Sequence, residues 1–263
     1  MRRLLSILTL AGMSLTTIGC QTGGRVVSAS SPERFGKTFY LDGAGNWGWG
    51  QTSVGEGLRR AGYRGDVEVF LWTTSLNPLI DQINIIAARL RARQLARKIE
   101  DYHRRYPDTK INIVALSAGT GVAVWAIEDL TGGVRVDNFA MLGSSLSHNY
   151  DVRPALKHMT GSIFVFHSPL DGVLPSTLIV GTIDGRHGVE PAGLVGLDVP
   201  PGAENRVVNI AWTKEAKRFG WQGGHVDTAN PVFVAKEIAP LLFSTNERVP
   251  TEDKVAARAS YPH

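Results

Sequence analysis

The chain has 263 residues, 43% of them hydrophobic and 20% charged, with 29 Gly, 13 Pro and one Cys. That apolar share excludes a disordered chain. A single cysteine excludes an intramolecular disulfide framework, a CxxC redox pair and a multi-cysteine zinc site.

The first element is an address. Met1-Arg2-Arg3 precedes an apolar stretch from Leu4 to Leu15, and no charge occurs between Arg3 and Arg25. The stretch is shorter than the about 20 apolar residues that a membrane-spanning helix needs, so it reads as a secretory signal peptide. Cys20, directly after Gly19, resembles the cysteine of a bacterial lipoprotein signal, which becomes the lipidated first residue of the mature chain. Thr17 stands where such signals usually carry Leu, and an ordinary signal peptide with a nearby thiol is the alternative. The resemblance implies export to the bacterial cell envelope and a lipid anchor at Cys20, facing the periplasm or the exterior. Segment 1–19 carries two arginines and no acid, so the formal net charge of +4 falls to +2 without it. That balance gives no case for nucleic acid. Residues 20–36 read as a flexible tether and 244–263 as a polar tail, leaving one domain, 37–243, with no internal repeat.

Within that domain, runs rich in Val, Ile and Phe predict strands at 38–42, 67–72, 111–116, 136–142, 162–167 and 207–212. The clearest helical pattern spans 81–106, where Ile83, Ile86, Ala87, Leu90, Leu95, Ile99, Tyr102 and Tyr106 recur at helical spacing and Pro107 ends the run. Its other face carries Arg89, Arg93, Arg97, Lys98, Arg104 and Arg105. A solvated face is the favoured reading there, and a membrane-facing one the alternative. Strand–helix alternation predicts an α/β fold, a mostly parallel central sheet with helices on both faces and its ligand at the carboxyl ends of the strands. Only about 20 residues separate the fourth and fifth strands, so no cap domain is inserted there.

Strand 111–116 runs into Ser117-Ala118-Gly119-Thr120-Gly121 and then a helix. Small-x-Ser-x-Gly between strand and helix resembles the nucleophile elbow of the α/β-hydrolases, G-x-S-x-G, with Ala115 in place of the first Gly. Small neighbours suit a serine on a sharp, strained turn, and the helix start aims backbone N–H groups above it. Small residues that ease helix–strand packing are the alternative explanation. The resemblance implies an acid and then a histidine further along. Asp171 follows the fifth strand, and His225, in Gly223-Gly224-His225, follows the sixth. His148 and His187, in loops near the expected mouth, are the competing bases. The first strand leads into Asp42-Gly43-Ala44-Gly45, where the family often shows His-Gly-x-Gly. By that resemblance the N–H of Ala44 joins that of Ala118 in an oxyanion hole, with Gly43 or Gly45 as open alternatives.

The same loop spells G-x-G-x-x-G, the dinucleotide fingerprint. That fingerprint expects an acid at the end of the next strand, and 69–74 offers none. His225-Val226-Asp227 has a possible metal-ligand spacing, but no HExxH accompanies it, and Asp227 reads as a cap for the last helix. Neither a cofactor nor a metal is therefore expected. The resemblance implies a serine hydrolase acting on carboxylic ester or other small-molecule or lipid-like acyl substrates. Trp47 and Trp49 are candidate pocket walls, Trp72 reads as core, and the Gly-rich stretch 181–202 reads as a pocket wall or a short lid. The alternative from another class is an envelope lipoprotein that keeps the fold as a non-catalytic binding or scaffold module.

Overall fold

Among the described residues, six strands alternate with helices: β1 (Lys37–Leu41), β2 (Asp66–Val69), β3 (Ile111–Leu116), β4 (Asn138–Leu142), β5 (Ile163–His167) and β6 (Val207–Ala211). The computed structural model describes residues 31–73, 75 and 77–243. The signal segment, Cys20 and the tail 244–263 lie outside the described residues. All pairings are parallel, in the order β2-β1-β3-β4-β5-β6. All six expected strands are present and β3 has the expected limits. β2 ends three residues early, where Phe70 N makes a last bond to Tyr40 O at 2.8 Å.

Successive strand residues point to opposite faces, and here both faces are apolar, as parallel sheets covered on both sides require. Phe39, Leu41, Ile113, Phe139 and Met141 pack on one side, against α3 (Ile85–Arg105) and α4 (Gly119–Glu128). Tyr40, Val114, Leu116 and Leu142 pack on the other, against Val54 and Leu58 of α1 (Ser53–Arg60) and against Phe233 and Ile238 near the carboxyl end. Residues 119–127 of α4 are all buried, because that helix is apolar all round. The α/β fold expected from the alternation is the one observed, and no cap domain interrupts it.

The long helix departs from expectation in two ways. It is broken at Asn84 into α2 (Pro78–Ile83) and α3, and the Asn84 side chain caps α3 by accepting from Ala87 N at 3.1 Å. Its inward face is also different: Ala88, Ala92, Leu95, Ala96, Ile99 and Tyr102 are buried, whereas Ile83, Ile86 and Leu90 face outward. Three alanines on one stripe let α3 approach α4 closely, and larger side chains there would hold the helices apart. The last helical stretch is capped not by Asp227 but by Asn230, whose side chain accepts from Val232 N at 2.9 Å ahead of Pro231.

A charge cluster fixes the start of β1. Lys37 Nζ lies 2.5 Å from Asp66 and 2.6 Å from Glu68 of β2, and Lys98 of α3 reaches Glu68 at 2.6 Å. Burial alone would raise the Glu68 carboxyl, but bonds from Lys37 and Lys98 hold it below its ordinary value. A depressed carboxylate adds stability above its ordinary pKa, and that stability is lost as pH falls through the lowered value. Thermal melting of Glu68→Gln against the unsubstituted chain should therefore show a Tm gap at neutral pH that narrows as pH falls through the lowered value. A gap that persists undiminished in acid would contradict the assignment.

Candidate active site

Ser117 stands at the carboxyl end of β3 with φ +53, in the left-handed region that favours glycine. A non-glycine residue held there costs about 1–3 kcal/mol and persists only where its surroundings over-determine it. Here they do. Ser117 N donates to Leu142 O at 2.9 Å, and Ser117 O accepts from Thr120 Oγ1 at 2.5 Å and from Ser145 N at 3.3 Å. Ser144 Oγ lies 2.7 Å from Thr120 Oγ1 and steadies it. Ala115 is fully buried between Leu41 and Met141 in the sheet, so a methyl group is accommodated where the family pattern has Gly. Gly119 has no such room, since a Cβ there would sit 2.5 Å from Asp42 O.

The expected acid and base are in direct contact. His225 Nδ1 lies 2.7 Å from Asp171 Oδ2. Asp171 Oδ1 accepts from Val173 N at 2.9 Å and Leu174 N at 3.1 Å, so each carboxylate oxygen is engaged and the group is locked. Asp171 is 4% exposed, which strengthens the pairing by excluding water. Gly143, at the end of β4, makes space for the pair. It has φ +47, and a Cβ there would lie 3.3 Å from His225 Nδ1 and 3.4 Å from Asp171 Oδ2. Asp227 braces the histidine loop, accepting from Gln222 N at 3.1 Å and Gly224 N at 2.9 Å.

The loop after β1 is organised by two buried carboxylates. Asp42, which stands where the family pattern has His, accepts from Gly43 N and Tyr40 Oη at 3.0 Å and from Gly48 N at 2.8 Å. Burial and the adjacent Asp42 charge push the Tyr40 hydroxyl well above its ordinary pKa, so it remains a donor. Asp81 of α2 accepts from Gly45 N at 3.0 Å, and Trp72 Nε1 donates to Asp42 O at 2.7 Å. Gly43 N and Gly45 N are thus occupied, whereas Ala44 N makes no hydrogen bond among the described residues. Ala118 N, at the start of α4, likewise has no acceptor there. The glycine N–H groups that a dinucleotide phosphate would need are spent on carboxylates.

Ser117, His225 and Ala44 line one cavity of about 490 Å³. Its walls are mainly apolar, from Trp47, Trp49, Leu79, Leu174, Val180 and Val226, with Gln82, Ser145, Ser176 and Thr177 as further polar groups. No Asp, Glu, Lys or Arg lines it among the described residues, so it suits an uncharged group. Ser117 Oγ and His225 Nε2 have no hydrogen bond of their own among the described residues.

The structure therefore brings Ser117, Asp171, His225 and Ala44 to one edge of the sheet, with Ala118 directly after the serine. It sends the competing histidines elsewhere. His148 Nδ1 lies 3.2 Å from Asp198 Oδ1 and His187 Nδ1 lies 3.0 Å from Ile179 O, and neither lines the cavity. His167 is half-buried, and burial lowers its pKa. Stretch 181–202 contributes nothing to the cavity among the described residues. It is stitched to 144–146 through Ile183 N, Ala192 N and Gly193 N, at 2.7–3.1 Å, and the wall comes instead from 173–180. Trp72, read as core, is buried, whereas the roles of Asp81, Thr120 and Gly143 leave no sequence pattern because they depend on contacts with Gly45, Ser144 and His225 on other elements. Among the described residues no cluster of three or more His, Cys, Asp or Glu side chains is placed to hold a metal.

No family model matches the chain, and no curated protein does. Among solved structures it is similar to a cutinase-like protein from Cryptococcus sp., at 13% identity over 82% of this chain and 97% of that one, with a TM-score of 0.40. It is also similar to esterase PE8, at 14% identity over 77% and 92% of the two chains, TM-score 0.42. The catalytic core domain of acetyl xylan esterase from Trichoderma reesei matches at 17% identity over 67% and 82%, TM-score 0.37. Likeness of this degree assigns neither a substrate nor a catalytic residue to the chain.

Gly119 ties the serine turn to the loop after β1. Gly119→Ala should displace that loop, lowering stability by about 1–3 kcal/mol. Unchanged melting would show that the contact positions nothing.

Proposed function

We propose that the protein is a serine hydrolase of carboxylic esters or related acyl compounds, with Ser117 as nucleophile, His225 as general base and Asp171 as its orienting acid. One observation carries the reading: a serine held at φ +53 opens onto the same cavity as a histidine whose Nδ1 is fixed 2.7 Å from a buried carboxylate. Strain of that kind at a cavity is characteristic of sites where geometry is needed for chemistry.

Ser117 Oγ attacks the acyl carbon as its proton passes to His225 Nε2, the nitrogen opposite the one Asp171 holds. Asp171 fixes the tautomer and stabilises the imidazolium. The N–H groups of Ala44 and Ala118 receive the oxyanion, each donor of this kind being worth about 3–4 kcal/mol. His225 returns the proton to the departing alcohol, and a water activated by the same ring then attacks the acyl-enzyme. The apolar cavity accepts the acyl chain or the alcohol. The lipid anchor at Cys20 and its location in the cell envelope belong to the same proposal, and they rest on the amino-terminal sequence alone.

With a chromogenic short-chain ester, Ser117→Ala and His225→Ala should each fold with an unchanged circular-dichroism spectrum and lose about 10⁴-fold or more in kcat. Turnover within tenfold of the unsubstituted chain in either folded variant would remove that residue from its role. Asp171→Asn should lose about 10⁴-fold as well, because an amide at that place favours the wrong histidine tautomer.

A further inference from the structure

The apolar side chains on the outward face of α2 and α3 have no work inside the fold. Ile83, Ile86 and Leu90 are 55%, 79% and 52% exposed, although their spacing matches a core face. They continue from Leu79 and Ile80, and Leu79 also lines the cavity. Across the mouth, Ile179 is 82% exposed on the segment that supplies Thr177 and Val180 to the cavity wall, and Trp47 and Trp49 are more than half exposed on the loop after β1. Isolated exposed apolar residues need no explanation, but a run that begins at a cavity mouth and extends along a helix does.

The helix then changes character along the same stripe. Positions 86, 90, 93 and 97 follow one another at intervals of four, three and four, so they share a face. The first two are apolar and the next two are arginines. Of the 21 residues of α3, seven are Lys or Arg and two, Glu100 and Asp101, are acidic. Asp101 is taken by Arg104, and Arg93 reaches Asp129 only at 3.9 Å. Arg97 has no carboxylate partner among the described residues.

We propose that this face docks on an anionic phospholipid bilayer, with Ile83, Ile86, Leu90 and Ile179 entering the headgroup boundary and Arg93 and Arg97 meeting lipid phosphates. An apolar row bordered by cations is what a surface-lying helix presents to such a membrane, and each cation near an anionic leaflet strengthens binding. No helix among the described residues is long and apolar enough to cross a membrane, so the contact is superficial. A second copy of the chain fits the charge poorly, because a two-fold contact on this stripe sets Arg93 and Arg97 against arginines. The docking stands on exposure and charge. Its consequence, a cavity mouth opening onto lipid so that the esters are drawn from the bilayer, rests on the hydrolase reading.

The test uses the full chain with Cys20→Ser, which leaves one introduced thiol for an environment-sensitive fluorophore, at Ile86→Cys or, as control, at Glu204→Cys before β6. Vesicles of phosphatidylglycerol with phosphatidylcholine should shift the emission at 86 to the blue and leave 204 unchanged. Pure phosphatidylcholine should need about tenfold more lipid. Arg93→Glu with Arg97→Glu should raise the lipid requirement on anionic vesicles by a similar factor. Ser117→Ala should leave the shift intact, so failure of the chemistry and failure of docking are read separately. Ile86→Ser with Leu90→Ser should lower turnover of a vesicle-borne ester at least tenfold and leave a soluble short ester unaffected. Aqueous emission at 86 on saturating anionic vesicles would overturn the proposal. So would equal lipid requirements on neutral and anionic vesicles, or a shift without lipid that grows with protein concentration.

Discussion

Everything at the carboxyl edge of the sheet depends on Ser117 holding a backbone conformation that its side chain disfavours. The turn from β3 into α4 holds Ser117 at φ +53, and the chain supplies the restraints in three places. Leu142 O on β4 holds the serine N–H, Thr120 and Ser145 hold its carbonyl, and Gly119 lets the start of α4 close against Asp42. The same contacts tie the serine to the loop after β1 and to the segment after β4.

Buried carboxylates do the positioning, in pairs of loops. Asp42 and Asp81 gather the N–H groups of Gly43, Gly45 and Gly48, while that of Ala44, a residue lining the cavity, has no acceptor among the described residues. Asp171 holds its own loop through Val173 and Leu174 as well as His225, and Asp227 holds the loop on which His225 sits. The acids around the site are thus directed at backbone donors, the Tyr40 hydroxyl or one imidazole, and no charged acid or base lines the cavity among the described residues. Apolar walls without a charged side chain among the described lining residues favour an uncharged group.

Most of the architecture was legible because its signals are local. Apolar runs of five or six residues bounded by turn formers mark strands buried on both faces, and β3 has the limits read from the sequence. The meeting of Ser117, Asp171 and His225 at one edge of the sheet was legible from their order and their places after strands. The outward face of α3 was misread because its periodicity is ambiguous. Alanines and large aliphatics lie on different stripes of one helix, and only close packing against α4 decides that Ala88, Ala92 and Ala96 face inward. Asp42 was visible only as a departure from His-Gly-x-Gly, since its role depends on Tyr40, Gly43 and Gly48 coming together in space. Asp81 lies 36 residues from the glycine it holds, a distance across which sequence carries no pattern.

The central claim is that Ser117 is an activated nucleophile. Incubation of the folded chain with a fluorophosphonate, followed by intact-mass and peptide-mass measurement, tests it most directly. The account predicts one covalent adduct per chain, located on Ser117 and abolished in Ser117→Ala. An unmodified chain, or an adduct on another residue, would contradict it.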